Sequence, residues 1–403
     1  MTPLRIAVVA ACGYPTNQGS QVYIRATARA MAERGHDVRV LAYDYGEDGV
    51  STGGVPIRRI PGVPGYRKLR AGPSRTKPRL DAQLARLVSR TVRDERIDVV
   101  HVHNVEAPFA ALPTRLRSGV PVVGHVHTLL EEELPTFLPS TWAPASAFLG
   151  RTIDCLLPRA VDALVVLSAR AGVCLRGMGV ESERIFHVPP AIDPRDFGEP
   201  SPPGAKPVVV YAGNPDLYQE PTTLLRAFAI VFRERPDAVL RLVSGASMQS
   251  WVARASRLGI PAEALETIRA DSWSATREAM RGACVGVVPR SICAGFPIKL
   301  LNYMASGLPV VACRGASGPI RDGLDGFVVP PTDSVGFGAA LLRVLNDPAA
   351  AHRMGRSART SVLEGHTWAD RVGSFDRVHR AVGADRGPSP ARRRLLRVRS
   401  SGR

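Results

Sequence analysis

Short apolar runs alternate with helical stretches along this chain. RIAVVA (5–10) is followed by a loop and by SQVYIRATARAMAERG, where Ser20 is placed to cap a helix and Gly35 to end it. VRVLA (38–42) comes next, then DVVHVH (98–103), PVVGHV (121–126) and DALVVLS (162–168). Continuous apolar strands joined through helices predict a parallel sheet covered on both faces. At 189–207 the texture changes to PPAIDPRDFGEPSPPGAKP, rich in proline and glycine as interdomain linkers are. The alternation restarts with VVVYAG (208–213), VLRLVS (239–244), CVGVV (284–288), PVVAC (309–313) and GFVV (326–329). The expected architecture is α/β, with two doubly wound parallel-sheet domains facing an interdomain cleft. Ligands in such sheets sit beyond the carboxyl ends of the strands. The expected divisions are a first domain at 1–190, a linker at 191–207 and a second domain at 208–364. A closing helix at 365–383, packing back toward the first domain, and a disordered basic tail at 384–403 complete the chain.

A length of 403 residues suits two cores, and an apolar fraction of 45% is ordinary for globular domains. No run approaches the roughly 18 apolar residues of a spanning helix. MTPLRIAVVAACGYP lacks the basic leader of a signal peptide and ends in a turn. The six cysteines form no C-x-x-C pair and read as reduced thiols, which points to a cytoplasmic protein. The formal charge is +17, with cations gathered at Arg67, Lys68, Arg70, Arg75, Lys77 and Arg79 and again in the tail from Arg392. Two readings stay open: solvated surface arginines, or attraction to an anionic membrane on the cytoplasmic side. The segment 63–80 is read as an irregular basic insertion, either a surface loop or part of an acceptor-side rim. Nucleic acid is not an expected partner, because aromatics are only 6% and no recognition module accompanies the charge.

Several chemistries are set aside. There is no Walker phosphate loop, no G-x-G-x-x-G after the first strand and no G-x-S-x-G elbow. His101 and His103, two apart on an expected strand, are read as facing opposite sides, and no metal site is expected. What remains is a set of loop-to-helix junctions. In the first half these are Gly19 and Ser20 at a helix start, and His127 just past the 121–126 strand. In the second half Gly213 and Asn214 follow a strand, and Arg290 and Lys299 flank the turn at Gly295. From Ile298 a helix aims its free N–H groups at that turn, a natural place for a diphosphate. Leu301, Met304, Ala305 and Leu308 form the core stripe of this helix, with Asn302 beside it.

These residues carry a resemblance. The Gly19 loop, ARAMAERGHDVRVLA, DVVHVHN and HVHTLLEEEL in the first half resemble retaining glycosyltransferases of the GT-B fold, family 4. RIFHVPPAIDPRDF, YAGN…LLRAF, GFPIKLLNYMASGLPVVA and GASGPIRDGLDGFVVPPTD continue it in order through the second half. The resemblance implies transfer of a hexosyl-type sugar from a nucleotide-sugar donor to a saccharide, glycolipid or small-molecule acceptor. Retention of anomeric configuration, no metal and no cofactor beyond the donor are implied with it. By the same resemblance His127 lines the sugar site. Gly19 and Ser20 touch donor phosphate or acceptor, and Gly295, Phe296, Pro297 and Ile298 cradle the diphosphate. Gly213, Asn214, Arg290, Lys299 and Asn302 complete the expected donor set. Many relatives carry two glutamates where this chain has Ala294 and Asn302, and a basic pair where it has Asp216, Tyr218 and Gln219. Alternatives on the same fold are a sugar-nucleotide epimerase, a phosphorylase, or a non-catalytic sugar-nucleotide-binding protein.

Overall fold

The computed structural model describes residues 2–17, 19–67, 72, 74–290 and 295–384, without the side chains of Ser140 and Ala384. Ala294, Lys68, Arg70, Cys293 and the tail from 385 lie outside the described residues. The chain divides into one compact unit of 1–189 with 368–403 and another of 190–367.

The first unit holds β1 (Arg5–Ala10), α1 (Gly19–Glu33), β2 (Asp37–Ala42), β3 (Ile57–Arg59), α2 (Lys77–Asp94), β4 (Val99–His103) and α3 (Glu106–Ser118). It continues with β5 (Val122–Val126), α4 (Leu130–Glu133), α5 (Ala143–Ala160), β6 (Ala163–Val166), α6 (Ala169–Gly177) and β7 (Ile185–His187). Its seven strands run parallel in the order β3-β2-β1-β4-β5-β6-β7. From Ile6 to Ala10, β1 is fully buried, as a strand covered on both faces must be. Glycine ends α3: Gly119 sits at φ +69°, where its N–H reaches the Arg115 carbonyl. The Ser168 hydroxyl caps α6 by accepting from the Ala171 N–H.

Two sequence expectations change here. Ser20 lies inside the first turn of α1, and its hydroxyl donates to Gln21 Oε1 at 2.7 Å. Residues 77–80, read as the end of an irregular insertion, already form the first turn of α2, with Pro78 in its favoured early position.

The second unit holds β8 (Val208–Ala212), α7 (Pro221–Glu234), β9 (Val239–Ser244), α8 (Gln249–Arg257), β10 (Leu265–Arg269), α9 (Trp273–Met280) and β11 (Val285–Val288). Then come α10 (Ile298–Ala305), β12 (Val310–Cys313), β13 (Gly326–Val329), α11 (Ser334–Asn346) and α12 (Pro348–Gly365). The six parallel strands are ordered β10-β9-β8-β11-β12-β13. Alternation along β8 feeds both faces. Val209 and Tyr211 pack with Leu224, Phe228 and Phe337 on one side. Val208, Val210 and Ala212 pack with Leu300, Tyr303 and Met304 on the other. Asp333 and Asp347 cap α11 and α12 by accepting from the Gly336 and Ala350 N–H groups.

After β13, α11 and α12 the chain returns to the first unit as α13 (Trp368–Ala384). Trp368, Val372, Phe375, Val378 and Val382 are buried along one helical stripe. Asp376, on the same helix, is met by the guanidinium of Arg34 and by His36 Nε2 at 2.6 Å. The Leu4 N–H donates to His36 Nδ1 at 3.1 Å, so His36 carries its proton on Nε2 and donates it to Asp376. These donors hold the Asp376 carboxyl below the usual carboxylate range although its burial pushes the other way.

Candidate active site

In the first unit the candidate residues gather beyond the carboxyl ends of β1 and β5. Gly19 opens α1, and a Cβ built there meets nothing within 4 Å. Neither backbone conformation nor packing therefore requires a glycine at this place. One turn on, the Tyr23 ring stands edge-on to His127, with centroids 5.4 Å apart, which joins the α1 start to the end of β5. The loop after His127 is pinned by Asp154 of α5, whose carboxylate accepts the Leu130 and Glu131 N–H groups at 3.1 and 2.9 Å. Burial raises the Asp154 pKa to about 6 despite those donors.

His127 is the end member of a group of five imidazoles. Its Nε2 lies 3.0 Å from His103 Nδ1. His101 Nδ1 lies 2.9 Å from His379 Nε2 on α13, and His101 Nε2 lies 3.1 Å from His125 Nδ1. The reading that His101 and His103 face opposite sides is wrong. Strand side chains alternate, so residues two apart share a face, and these two rings stack 4.8 Å apart at 4°. The parallel register then pairs His103 with His125 on the adjoining strand. The signal was present in the sequence as HVH and HVH on successive strands, and correct parity finds it.

Burial depresses all five titrations, His101 to about 3 and His127 to about 4, so the rings are neutral near pH 7. A neutral imidazole offers one donor and one acceptor. Since both nitrogens of His101 are engaged, its two neighbours must be opposite in kind. One of the buried, unpartnered atoms His125 Nε2 and His379 Nδ1 is an N–H and the other a bare lone pair. The ligand atoms of His101, His103 and His125 lie within 4.8 Å of one another, and neutral imidazole is the form that ligates metals. Gathering all three around an ion would break a hydrogen bond of His101. The arrangement as it stands is a hydrogen-bonded ladder.

In the second unit a second set of residues surrounds the start of α10. Lys299, in its first turn, donates from Nζ to Gln219 Oε1 at 2.9 Å and lies 4.0 Å from the centroid of the Tyr211 ring. Gly213 makes room for it: a Cβ there would sit 2.5 Å from Lys299 Nζ. The Tyr211 hydroxyl donates to the Asn214 carbonyl at 2.7 Å, and the Asn214 amide donates to Asp216 and to the Tyr218 hydroxyl. The Arg290 guanidinium lies 4.8 Å from the Tyr218 ring centroid. The Ala212 N–H donates to the Tyr303 hydroxyl at 2.6 Å, which fixes α10 against the end of β8. Gly295 and Pro297 are buried, Phe296 and Ile298 partly so, and no side chain caps the start of α10. The Asn302 amide is partly buried and has no hydrogen-bond partner among the described residues.

The structure thus brings Gly213, Asn214, Arg290 and Lys299 together, and brings Gly19, Ser20 and His127 near one another through Tyr23. Sequence reasoning missed Tyr211, Tyr303 and the positioning role of Gln219. They act through contacts between β8, its following loop and α10, which no local pattern records. Two oriented cations and an uncapped helix start form a neighbourhood suited to an oligophosphate.

Comparison with known proteins bears on the fold and the domains. Residues 18–191 match the family described as glycosyl transferase 4-like domain, and residues 206–347 match glycosyl transferases group 1. A D-inositol 3-phosphate glycosyltransferase of Nocardia farcinica is 27% identical, with 99% of this chain and 97% of that protein covered. The enzyme of the same name from Streptomyces scabiei is 26% identical, with 88% and 86% covered. Among solved structures, sucrose-phosphate synthase from Thermosynechococcus elongatus superposes with a TM-score of 0.79 at 19% identity, covering 94% of this chain and 99% of that one. Anabaena HepE, solved in complex with UDP and glucose, superposes with a TM-score of 0.70 at 16% identity, covering 93% and 98%. Residues 18–191 and 206–347 thus match two glycosyl transferase domains in order, on a pair of parallel sheets of the GT-B fold.

Proposed function

We propose that the protein transfers a hexosyl-type sugar from a nucleotide-sugar donor to a hydroxyl acceptor with retention, without a metal. The observation that carries this reading is the Lys299 ammonium, held by Gln219 and Tyr211 at the start of α10 in the half that matches the group 1 transferases. In the proposed reaction the bond from the anomeric carbon to the donor diphosphate breaks. A bond from that carbon to the acceptor oxygen forms on the same face, and the acceptor proton passes to the departing phosphate oxygen. The charge to stabilise is that of the diphosphate. Lys299, Arg290 and the backbone from Gly295 to Ile298 take this role, each charge-assisted hydrogen bond contributing about 1.5–3 kcal/mol. Asn302 takes the ribose hydroxyls. His127, neutral near pH 7, is a hydrogen-bonding group for the sugar rather than a cation. Gly19 and Ser20 line the approach of donor phosphate or acceptor.

Thermal shift with UDP, GDP, ADP and TDP, each with and without a sugar, tests donor binding, since a ligand of the folded state raises the melting temperature. UDP is the first choice because HepE was solved with it. Lys299→Ala is expected to weaken nucleotide affinity about tenfold or more. Proton NMR of the product should show the anomeric configuration of the donor. Nucleotide binding with no transfer to any polyol or saccharide acceptor overturns the catalytic part of the reading. An unchanged affinity in Lys299→Ala removes that lysine from the phosphate clamp.

A further inference from the structure

The helix layer on one side of the first sheet carries an outer pattern that neither the core nor the candidate site uses. α2, α3 and α5 each lead from one parallel strand to a strand further along the same direction of the sheet, so right-handed crossovers place them on one face. α2 packs on α3, and α3 on α5. On α2 the exposed arginines 79, 86, 90 and 93 fall on a single stripe of the helix. Arg93 pairs with Asp94, while Arg79, Arg86 and Arg90 make no ion pair among the described residues.

Beside that stripe, among the exposed Arg117 of α3 and Thr152 and Arg159 of α5, stand large apolar side chains. On α3 they are Phe109, Pro113 and Leu116, the last 72% exposed. On α5 they are Phe148, Leu149 and Leu156, the first two 74% and 53% exposed, again along one side of the helix. Trp142, 63% exposed, stands at the start of α5. A groove of about 290 Å³ between α2 and α3, lined in part by Ala82, Ala85 and Phe109, adjoins both patterns. The two acids in this groove are engaged: Glu106 meets Lys77, and Asp81 accepts from the Tyr43 hydroxyl.

Single apolar side chains on a surface are ordinary, but rows of them along neighbouring helices beside a row of like charge mark an interaction face. We propose that this face docks the protein on an anionic lipid surface. The α3 and α5 rows enter the boundary between headgroups and acyl chains, and the α2 arginines meet lipid phosphates. Trp142 is the kind of side chain that such a boundary favours. The charge complementarity favours a bilayer over a folded protein, because the arginines form one continuous row of a single sign rather than a set of mixed, convergent polar groups. The face is independent of the donor-site assignments, so its test reads adsorption and not transfer.

Vesicles of phosphatidylcholine, with and without phosphatidylglycerol, are sedimented with the full chain. Adsorption is expected to require the anionic lipid and to fall as salt rises. Arg86→Gln and Arg90→Gln should each lower the partition coefficient about fivefold. Phe148→Ser with Leu149→Ser should lower it about tenfold or more and leave the salt dependence in place. Cations elsewhere in the chain are common to all variants, and thermal melts report whether each variant is folded. Equal adsorption to neutral vesicles overturns the proposal, as does wild-type adsorption by both sets of folded variants. Light scattering that shows a dimer dissolved by Phe148→Ser with Leu149→Ser overturns it as well, by assigning the face to a second copy.

Discussion

Gly19 and Gly286 show two opposite uses of the smallest residue. A side chain at Gly286 would enter the Tyr303 ring at 2.4 Å, so that glycine serves packing. At Gly19 the space is open and the residue lies in a helical turn, so neither packing nor backbone calls for a glycine there. Gly286→Ala is expected to lose about 1–3 kcal/mol of stability through overpacking, read from denaturant melts. Gly19→Ala, in a helical turn, should hold or gain up to about 1 kcal/mol while transfer activity falls. A Gly19→Ala enzyme with full activity removes that loop from the site. The same contrast limits what the sequence made legible. Lys299 stood out as a cation in a helix start, but its partners Tyr211 and Gln219 come from another strand and loop, and only tertiary register joins them.

At the scale of elements, sequence patterning located every interior strand and, at an edge, the GFVV of β13. β3, β7 and β10 escaped it, and each lies at a sheet edge where its side chains are partly or largely exposed. An edge strand loses one neighbour and part of its cover, so IRR, IFH and LETIR carry polar residues that break the apolar run. The imidazole ladder across β4, β5 and α13 was missed for a different reason, an error in strand parity. It makes a prediction about pH. The folded pKa values lie below the unfolded value of about 6.5, so the unfolded chain binds more protons as pH falls. The ladder's stabilisation is complete above about pH 6.5 and drains away toward the folded values of about 4 for His127 and 3 for His101. Between those limits each such histidine contributes a slope of up to about 1.4 kcal/mol per pH unit. Urea melts from pH 7.5 to 4.5 should show a steep loss of stability, shallower in a folded His101→Phe variant. Equal slopes in the two proteins would contradict the assignment.

At the scale of the whole chain, one unit is continuous and the other is interrupted. Residues 190–367 form their own compact unit, with the core of that sheet filled on both faces. The first unit needs α13 for Phe375 and His379 against the imidazoles, and for Asp376 against Arg34 and His36. A fragment spanning 190–367 is therefore expected to melt cooperatively by itself. A fragment ending at Pro189 should be partly folded and recover when a peptide spanning 368–384 is added, with circular dichroism as the readout. Cooperative melting of the 1–189 fragment at the full-length temperature would show α13 to be dispensable.

That interruption sets an order of events during synthesis. A ribosome finishes the second unit before it has made the last helix of the first. At about 5–20 residues per second, on the order of ten seconds or more passes between Pro189 and the completion of α13. Throughout that interval Tyr23 lacks the Trp368 ring it will finally meet, and His101 and His125 lack the cover of Phe375 and His379. The N-terminal half is the first part made and the last part finished, and in that window the nascent chain has most need of a chaperone.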